Sequence, residues 1–254
     1  MIERPEPKKL RKEFALFHLV PNMLTVAAIC AGLTAIRLGV HGAYLEAVLL
    51  ILAAAVLDGL DGRLARLMGS DSRMGAELDS LADFLNFGIA TPLLLYFWAL
   101  QDAGGAGWLS VLIFAVCAVM RLARFNVAGK SDIPADEDSK KYFVGVPSPA
   151  GALMSMMPMY VSFAFTDAPL LPDALIGAWM IAMGLLMISR VPTWSFKATR
   201  ISRENVKFFL VGFAALCAAL LTFAWVALTA LCLIYAGAVT WTLVDDRLKK
   251  KRGH

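Results

Sequence analysis

Charge is scarce in this chain. Only 17% of its 254 residues are Asp, Glu, Lys or Arg, against 59% that are hydrophobic, and the mean hydropathy is +0.67. That balance excludes an ordinary soluble domain and suits a polytopic membrane protein. Cysteine is scarce too. Cys30, Cys117, Cys217 and Cys232 all fall inside apolar runs, without CxxC spacing or a neighbouring histidine, so they read as small buried residues rather than as metal ligands or disulfides. His18, His41 and His254 are scattered, and there is no H-x-K motif to carry a histidine nucleophile. Internal repeats and low-complexity segments are missing, as is a small-residue cleavage site after a short apolar core, so a cleaved signal peptide is not expected.

What the chain has in abundance is apolar runs. A helix needs about 20 residues to cross the hydrocarbon core. Spans are expected near 19–38, 43–62, 83–101, 107–125, 148–166, 169–189, 206–223 and 225–244, an all-α bundle of about eight helices. The last two touch around residue 223 and must form a tight hairpin, since one run of that length is too long for a single crossing. The 12 Met and 6 Trp read as core filling and interface anchors. Of the 24 Lys and Arg, 23 fall on one side if both termini are cytoplasmic, and only Arg37 lies on the other. Residues 1–18 form a basic flank with interleaved Leu and Phe that suits an amphipathic helix on anionic lipid headgroups, or a disordered positive flank. Residues 19–245 form the membrane domain and 246–254 a basic tail. No nucleic-acid partner is expected.

Against this apolar background four aspartates stand out: Asp58, Asp61, Asp79 and Asp83. Each acid at mid-bilayer costs about 2.5 to 3.5 kcal/mol, and two carboxylates about 4 Å apart repel by roughly 4 kcal/mol at an intermediate dielectric. Something positive must offset both. The i,i+3 and i,i+4 spacings put each pair on one face of its helix. A connection holding Arg63, Gly69, Ser70, Asp71 and Gly75 suits a turn that brings the two helices together. Hard oxygen ligands without Cys or His select Mg²⁺, Mn²⁺ or Ca²⁺ over zinc, and two such ions can clamp a pyrophosphate. The plain alternative is a set of solvated loop aspartates, with Asp61 and Asp71 as helix caps. Acids at a membrane edge are functional by default, which weighs against it.

The residues Asp58, Asp61, Gly62, Ala65, Arg66, Gly75, Asp79 and Asp83 match D-x-x-D-G-x-x-A-R-x8-G-x3-D-x3-D in order and spacing. The stretch resembles the signature of the CDP-alcohol phosphotransferases. The runs DSLAD (79–83) with Asn86, Phe87 and Gly88, RLARFN (121–126) and FVGVPSPA (143–150) resemble the integral-membrane phosphatidylserine synthases of that family. This resemblance covers about the first two thirds of the chain.

The resemblance implies phosphatidyl transfer from CDP-diacylglycerol to L-serine, with Mg²⁺ or Mn²⁺, two ions in all, and a homodimer in a cell inner membrane whose site faces the cytoplasm. It implies metal ligands at Asp58, Asp61, Asp79 and Asp83, with Asp83 placed to deprotonate the acceptor. CDP-diacylglycerol contacts are expected at Asn22, Thr25, Asp61, Gly62, Ala65, Arg66 and Gly75. The serine carboxylate needs a cation, for which Arg121, Arg124 and Lys141 are the candidates. The missing H-x-K motif excludes the phospholipase-D-like route to the same product. Three alternatives remain: another acceptor such as glycerol phosphate, inositol phosphate or choline; a transporter or channel with an acidic ion site; and a silent lipid-binding protein. Acids that flank a turn, instead of lining broken helices at the midplane, weigh against the transporter.

Overall fold

A computed structural model describes residues 19–69, 72–130, 142–166, 169–189, 192–194 and 206–252. The basic segment 1–18, Ser70, Asp71, Lys141 and the last two residues lie outside the described residues.

Ten α-helical segments are ordered as α1 Val20–Val40, α2 Tyr44–Met68, α3 Arg73–Asp83, α4 Thr91–Leu95, α5 Gly104–Lys130, α6 Ser148–Ser155, α7 Met157–Phe165, α8 Asp173–Ile188, α9 Val206–Thr222 and α10 Ala224–Arg252. A widened π segment, Phe84–Ala90, joins α3 to α4 and a second, Tyr96–Leu100, extends α4, giving one rod over Arg73–Leu100. Among the described residues four helices are long and apolar enough to cross a membrane: Val20–Val40, Arg73–Leu100, Gly104–Val127 and Ala224–Thr242. Asp173–Ile188 and Phe209–Thr222 are shorter apolar helices. The protein is an all-α, polytopic membrane bundle, and large apolar side chains such as Leu67, Val56, Phe165 and Leu221 are accordingly exposed on its outside.

Small residues bring the first elements together. On α1 the buried positions Pro21, Thr25, Ala28, Gly32, Ala35 and Gly39 recur every three or four residues, so they form one face. Such a face lets neighbouring helices approach closely, which is how membrane helices gain packing without a hydrophobic driving force. Ala47 and Ala54 of α2 face it. At Gly32 a Cβ would run into Asn86 of the rod, and at Gly39 it would meet Leu94 Cδ1 at 2.9 Å. The rotation of the rod about α1 is thereby set.

Two expectations are corrected at prolines and turns. The span expected over 148–166 is broken into α6 and α7 at Met156. Pro158 has no N–H to give the carbonyl of Met154 and its ring would clash there. Trp179 Nε1 donates to that freed Met154 carbonyl at 2.9 Å instead. The connection between the acidic helices is also shorter than expected: Arg63 lies inside α2 and Gly75 inside α3. Only residues 69–72 separate the two helices. Gly69 ends α2 at φ 58°, a conformation glycine adopts without strain, and Ser72 caps α3 by accepting from Gly75 N at 2.9 Å.

At the far end a tight hairpin is expected between α9 and α10. There Phe223 alone separates α9 from α10, its N–H donating to Ala219 O at 2.7 Å and its carbonyl accepting from Ala227 N at 2.9 Å. An unexpected feature is a pair of three-residue antiparallel strands, β1 Tyr142–Val144 and β2 Pro192–Trp194, with Phe143 opposite Thr193. The core lies between the rod, α5, α7 and α8, where Leu94, Leu95, Phe114, Tyr160, Ile176 and Met180 are fully buried.

Candidate active site

Helix periodicity makes the site. Asp58 and Asp61 leave one face of α2 near its end, while Asp79 and Asp83 leave one face of α3 as it begins its descent into the bundle. The short 69–72 turn sets these faces together. Carboxylate oxygens of Asp58, Asp61 and Asp79 lie within 4.8 Å of one another. Asp83 stands outside that trio, beside Asp58 and near enough to Arg121 for their charges to attract.

Beside the trio is a cavity of about 410 Å³, lined by Pro21, Asn22, Thr25, Asp61, Gly62, Ala65, Arg66, Ser72, Gly75, Ala76 and Asp79. Seven of these are the CDP-diacylglycerol contacts expected from the sequence, drawn from three helices into one wall. Glycine has a distinct use at two of them. A Cβ on Gly62 would meet nothing within 4 Å, so that wall stands open, whereas on Gly75 it would press on Asn22 Oδ1 at 2.9 Å and Ser72 Oγ at 3.1 Å.

The acid set fits divalent ions. Asp61 is 3% exposed, and Asp61 Oδ1 and Asp83 Oδ1 are buried without a hydrogen-bond partner among the described residues. A buried carboxylate oxygen left unpaired is costly, and a hard cation is the partner that oxygen-only donors select. Four carboxylates with no imidazole or thiolate beside them among the described residues match Mg²⁺ or Mn²⁺ chemistry and not zinc. A divalent-metal-binding acidic cluster is therefore present.

A family profile of CDP-alcohol phosphatidyltransferases matches residues 18–189, more than half of the chain. The chain belongs to that family. This CDP-alcohol phosphatidyltransferase is similar to proteins named CDP-diacylglycerol–serine O-phosphatidyltransferase. That of Mycobacterium leprae is 35% identical over 230 residues, 91% of this chain and 76% of that one. That of Mycobacterium tuberculosis H37Rv is 39% identical over 202 residues, covering 80% and 70%. The Methanocaldococcus jannaschii protein is 34% identical over 218 residues, covering 85% and 90%.

On the other side of Asp83 the CDP-alcohol phosphatidyltransferase has a closed, clamped wall. Arg121 is buried, its Nε donating to Val146 O at 2.6 Å and its Nη1 to Ser148 Oγ at 3.0 Å. Arg124 donates through Nη1 to Ile188 O at 3.0 Å and through Nη2 to Ser189 O at 3.4 Å, at the C-terminal end of α8 where a cation is favoured. The two arginines thus sit on one helix with separate partners, and Lys141 lies outside the described residues. Ser80 Oγ ties α3 to α5 through Asn126 Oδ1 at 3.1 Å. Sequence reasoning passed over Ser72, Ala76 and Ser148. Ser72 carries a signal, a serine three residues before a glycine at a helix start; Ser148 carries none, because its partner is 27 residues away.

Proposed function

We propose that the chain transfers the phosphatidyl group of CDP-diacylglycerol to the hydroxyl of L-serine, releasing CMP. The observation that carries this reading is the cavity that ends on the acidic cluster. Its wall holds the residues expected to meet the nucleotide, and its relatives are named for the serine reaction.

Asp58, Asp61 and Asp79 hold the divalent ions, and Mg²⁺ or Mn²⁺, two in number, is the set we favour. Bound there, such ions supply charge neutralisation for the pyrophosphate and for the departing CMP. Arg66, Asn22 and the open backbone at Gly62 seat the nucleotide, with Ala65 and Gly75 leaving room for it. Asp83 accepts the proton of the serine hydroxyl as that oxygen attacks the β-phosphorus. The bond from the β-phosphorus to the bridging oxygen then breaks, and CMP leaves with the electron pair. A general base of this kind is worth about 10² to 10⁴ in rate.

Arg121 is the contact we assign to the serine carboxylate. Two of its nitrogens are held by Val146 and Ser148, which orients the guanidinium beside Asp83 and leaves Nη2 for a ligand. Arg124 instead braces the end of α8.

The site faces the cytoplasm of an inner membrane in this reading, because three of the 23 like-sided cations, Arg63, Arg66 and Arg73, flank the acids. Eight crossings with both termini cytoplasmic require a reversal at Phe223, and labelling of a Lys249→Cys variant with an impermeant maleimide tests it. A homodimer is the expected assembly, to be read as mass in lipid nanodiscs.

The decisive assay measures CMP release from CDP-diacylglycerol with labelled serine, with and without Mg²⁺ or Mn²⁺. Release with glycerol phosphate or inositol phosphate but not with serine moves the acceptor. Release that survives a chelator removes the metal role.

A further inference from the structure

We infer that Thr25 is a positioning residue for the metal site: its hydroxyl holds one oxygen of Asp61 so that the other is presented to a divalent cation. This rests on the metal-dependent reading above.

A threonine in an apolar helix has a hydroxyl to satisfy. Its hydroxyl usually bonds the carbonyl four residues back, satisfying itself locally. Thr34, on the same helix, does so with Cys30 O at 2.7 Å, and Thr229 on α10 does so with Trp225 O at 2.8 Å. Thr25 departs from that pattern. Its oxygen is 3.2 Å from Pro21 O but 2.6 Å from Asp61 Oδ2, the length of a charge-assisted O–H···O⁻ bond. A hydroxyl has a single proton, and the shorter contact commits it to the carboxylate.

The consequence falls on Asp61. Thr25 and Asp61 are each 3% exposed, so no solvent competes for this bond. With Oδ2 taken, Asp61 Oδ1 remains buried without a hydrogen-bond partner among the described residues, and Asp61 is one of the three residues whose carboxylates lie within 4.8 Å of one another. The carboxylate is therefore locked about its last torsion from outside the cluster. Partners of metal ligands commonly do this, and their loss costs about 10- to 100-fold in metal affinity. A role for Thr25 as a direct nucleotide donor does not fit, since its one proton is already spent.

The test separates these roles in the purified full-length protein. Mn²⁺ affinity is read by the free-ion electron paramagnetic resonance signal for wild type, Thr25→Val and Thr25→Ser. CDP affinity is then read at saturating Mn²⁺. Valine keeps the shape and removes the hydroxyl; serine restores it. The expected result is Mn²⁺ binding about 10- to 100-fold weaker in Thr25→Val and within about threefold of wild type in Thr25→Ser. CDP affinity at saturating Mn²⁺ stays within about threefold throughout. Unchanged Mn²⁺ affinity in Thr25→Val, with wild type binding normally, overturns the inference and leaves the metal reading standing. A Thr25→Ser variant as weak as the valine variant also overturns it, by showing a packing effect. Loss of CDP affinity at saturating Mn²⁺ puts Thr25 on the nucleotide instead. Absence of Mn²⁺ binding in the wild type removes both readings together.

Discussion

The two sides of the acidic cluster are built by opposite rules. Towards α1 the wall is open and made mostly of glycine, alanine and short polar side chains, with Arg66 among them, around a cavity of about 410 Å³. Towards α5 and α6 the wall is closed, and the long side chain of Arg121 is tied down by Val146 O and Ser148 Oγ. A bulky nucleotide with a lipid attached needs room and backbone approach, which small residues leave. A small acceptor needs orientation, which a clamped guanidinium provides at little entropic cost. Openness and clamping meet at the acids, with Asp61 on the open side and Asp83 on the closed one.

The comparison breaks most severely if the acids are interchangeable. Asp79→Asn removes one of the three clustered carboxylates and is expected to lower turnover about 10⁴-fold or more, with a parallel loss of Mn²⁺-dependent CDP binding by titration. Retained Mn²⁺ binding would place the ions elsewhere. Asp83→Asn is expected to lower phosphatidyl transfer about 10² to 10⁴-fold while CDP-diacylglycerol binding stays within about tenfold, because the clustered trio is intact. Near-normal turnover in the purified variant would take the general-base role from Asp83.

A smaller effect is expected on the clamped side. Arg121→Gln is expected to raise the serine KM about 10- to 150-fold, the loss of a charge-assisted contact of about 1.5 to 3 kcal/mol, with little change in the CDP-diacylglycerol KM. An unchanged serine KM would leave Arg121 a mere strut for α6. On the open side, Gly75→Ala is expected to raise the CDP-diacylglycerol KM several-fold, since its Cβ would crowd Asn22 Oδ1 at 2.9 Å. The serine KM should not move, and an equal rise in both would mean that α3 itself had shifted. Smallest of all, Trp241→Ala on α10, 77% exposed and outside the family-matched segment, should leave both KM values and turnover within about twofold. A large loss there would mean that α10 is part of the site.

Much of this site was legible in the residues alone. Spacings of three and four put each acidic pair on one helical face, and the glycine at 75 marked a place where a Cβ would crowd Asn22 and Ser72. The apolar runs announced the bundle and located α1, α2, α5 and α8 to within a few residues. Misreadings came where one residue outweighs a pattern. Pro158 splits the run 148–166, which hydropathy reads as continuous, because a missing N–H does not register on an apolar scale.

By itself the sequence singled out the aspartates that the fold brings together, since periodicity and hard-ligand selection are properties of residue type and spacing. It also determined that the chain lives in a membrane, because so few charges cannot solvate so much apolar surface. The tertiary structure decided who holds whom. Thr25 and Asp61 are 36 residues apart, Arg121 and Ser148 are 27 apart, and Arg124 reaches Ile188 across 64. No local rule reports such pairings, because each hydroxyl or guanidinium had an equally good partner along its own helix or in lipid phosphate. Only the close approach of α1 to α2, and of α5 to the start of α6 and the end of α8, brings the distant partner nearer than the local one.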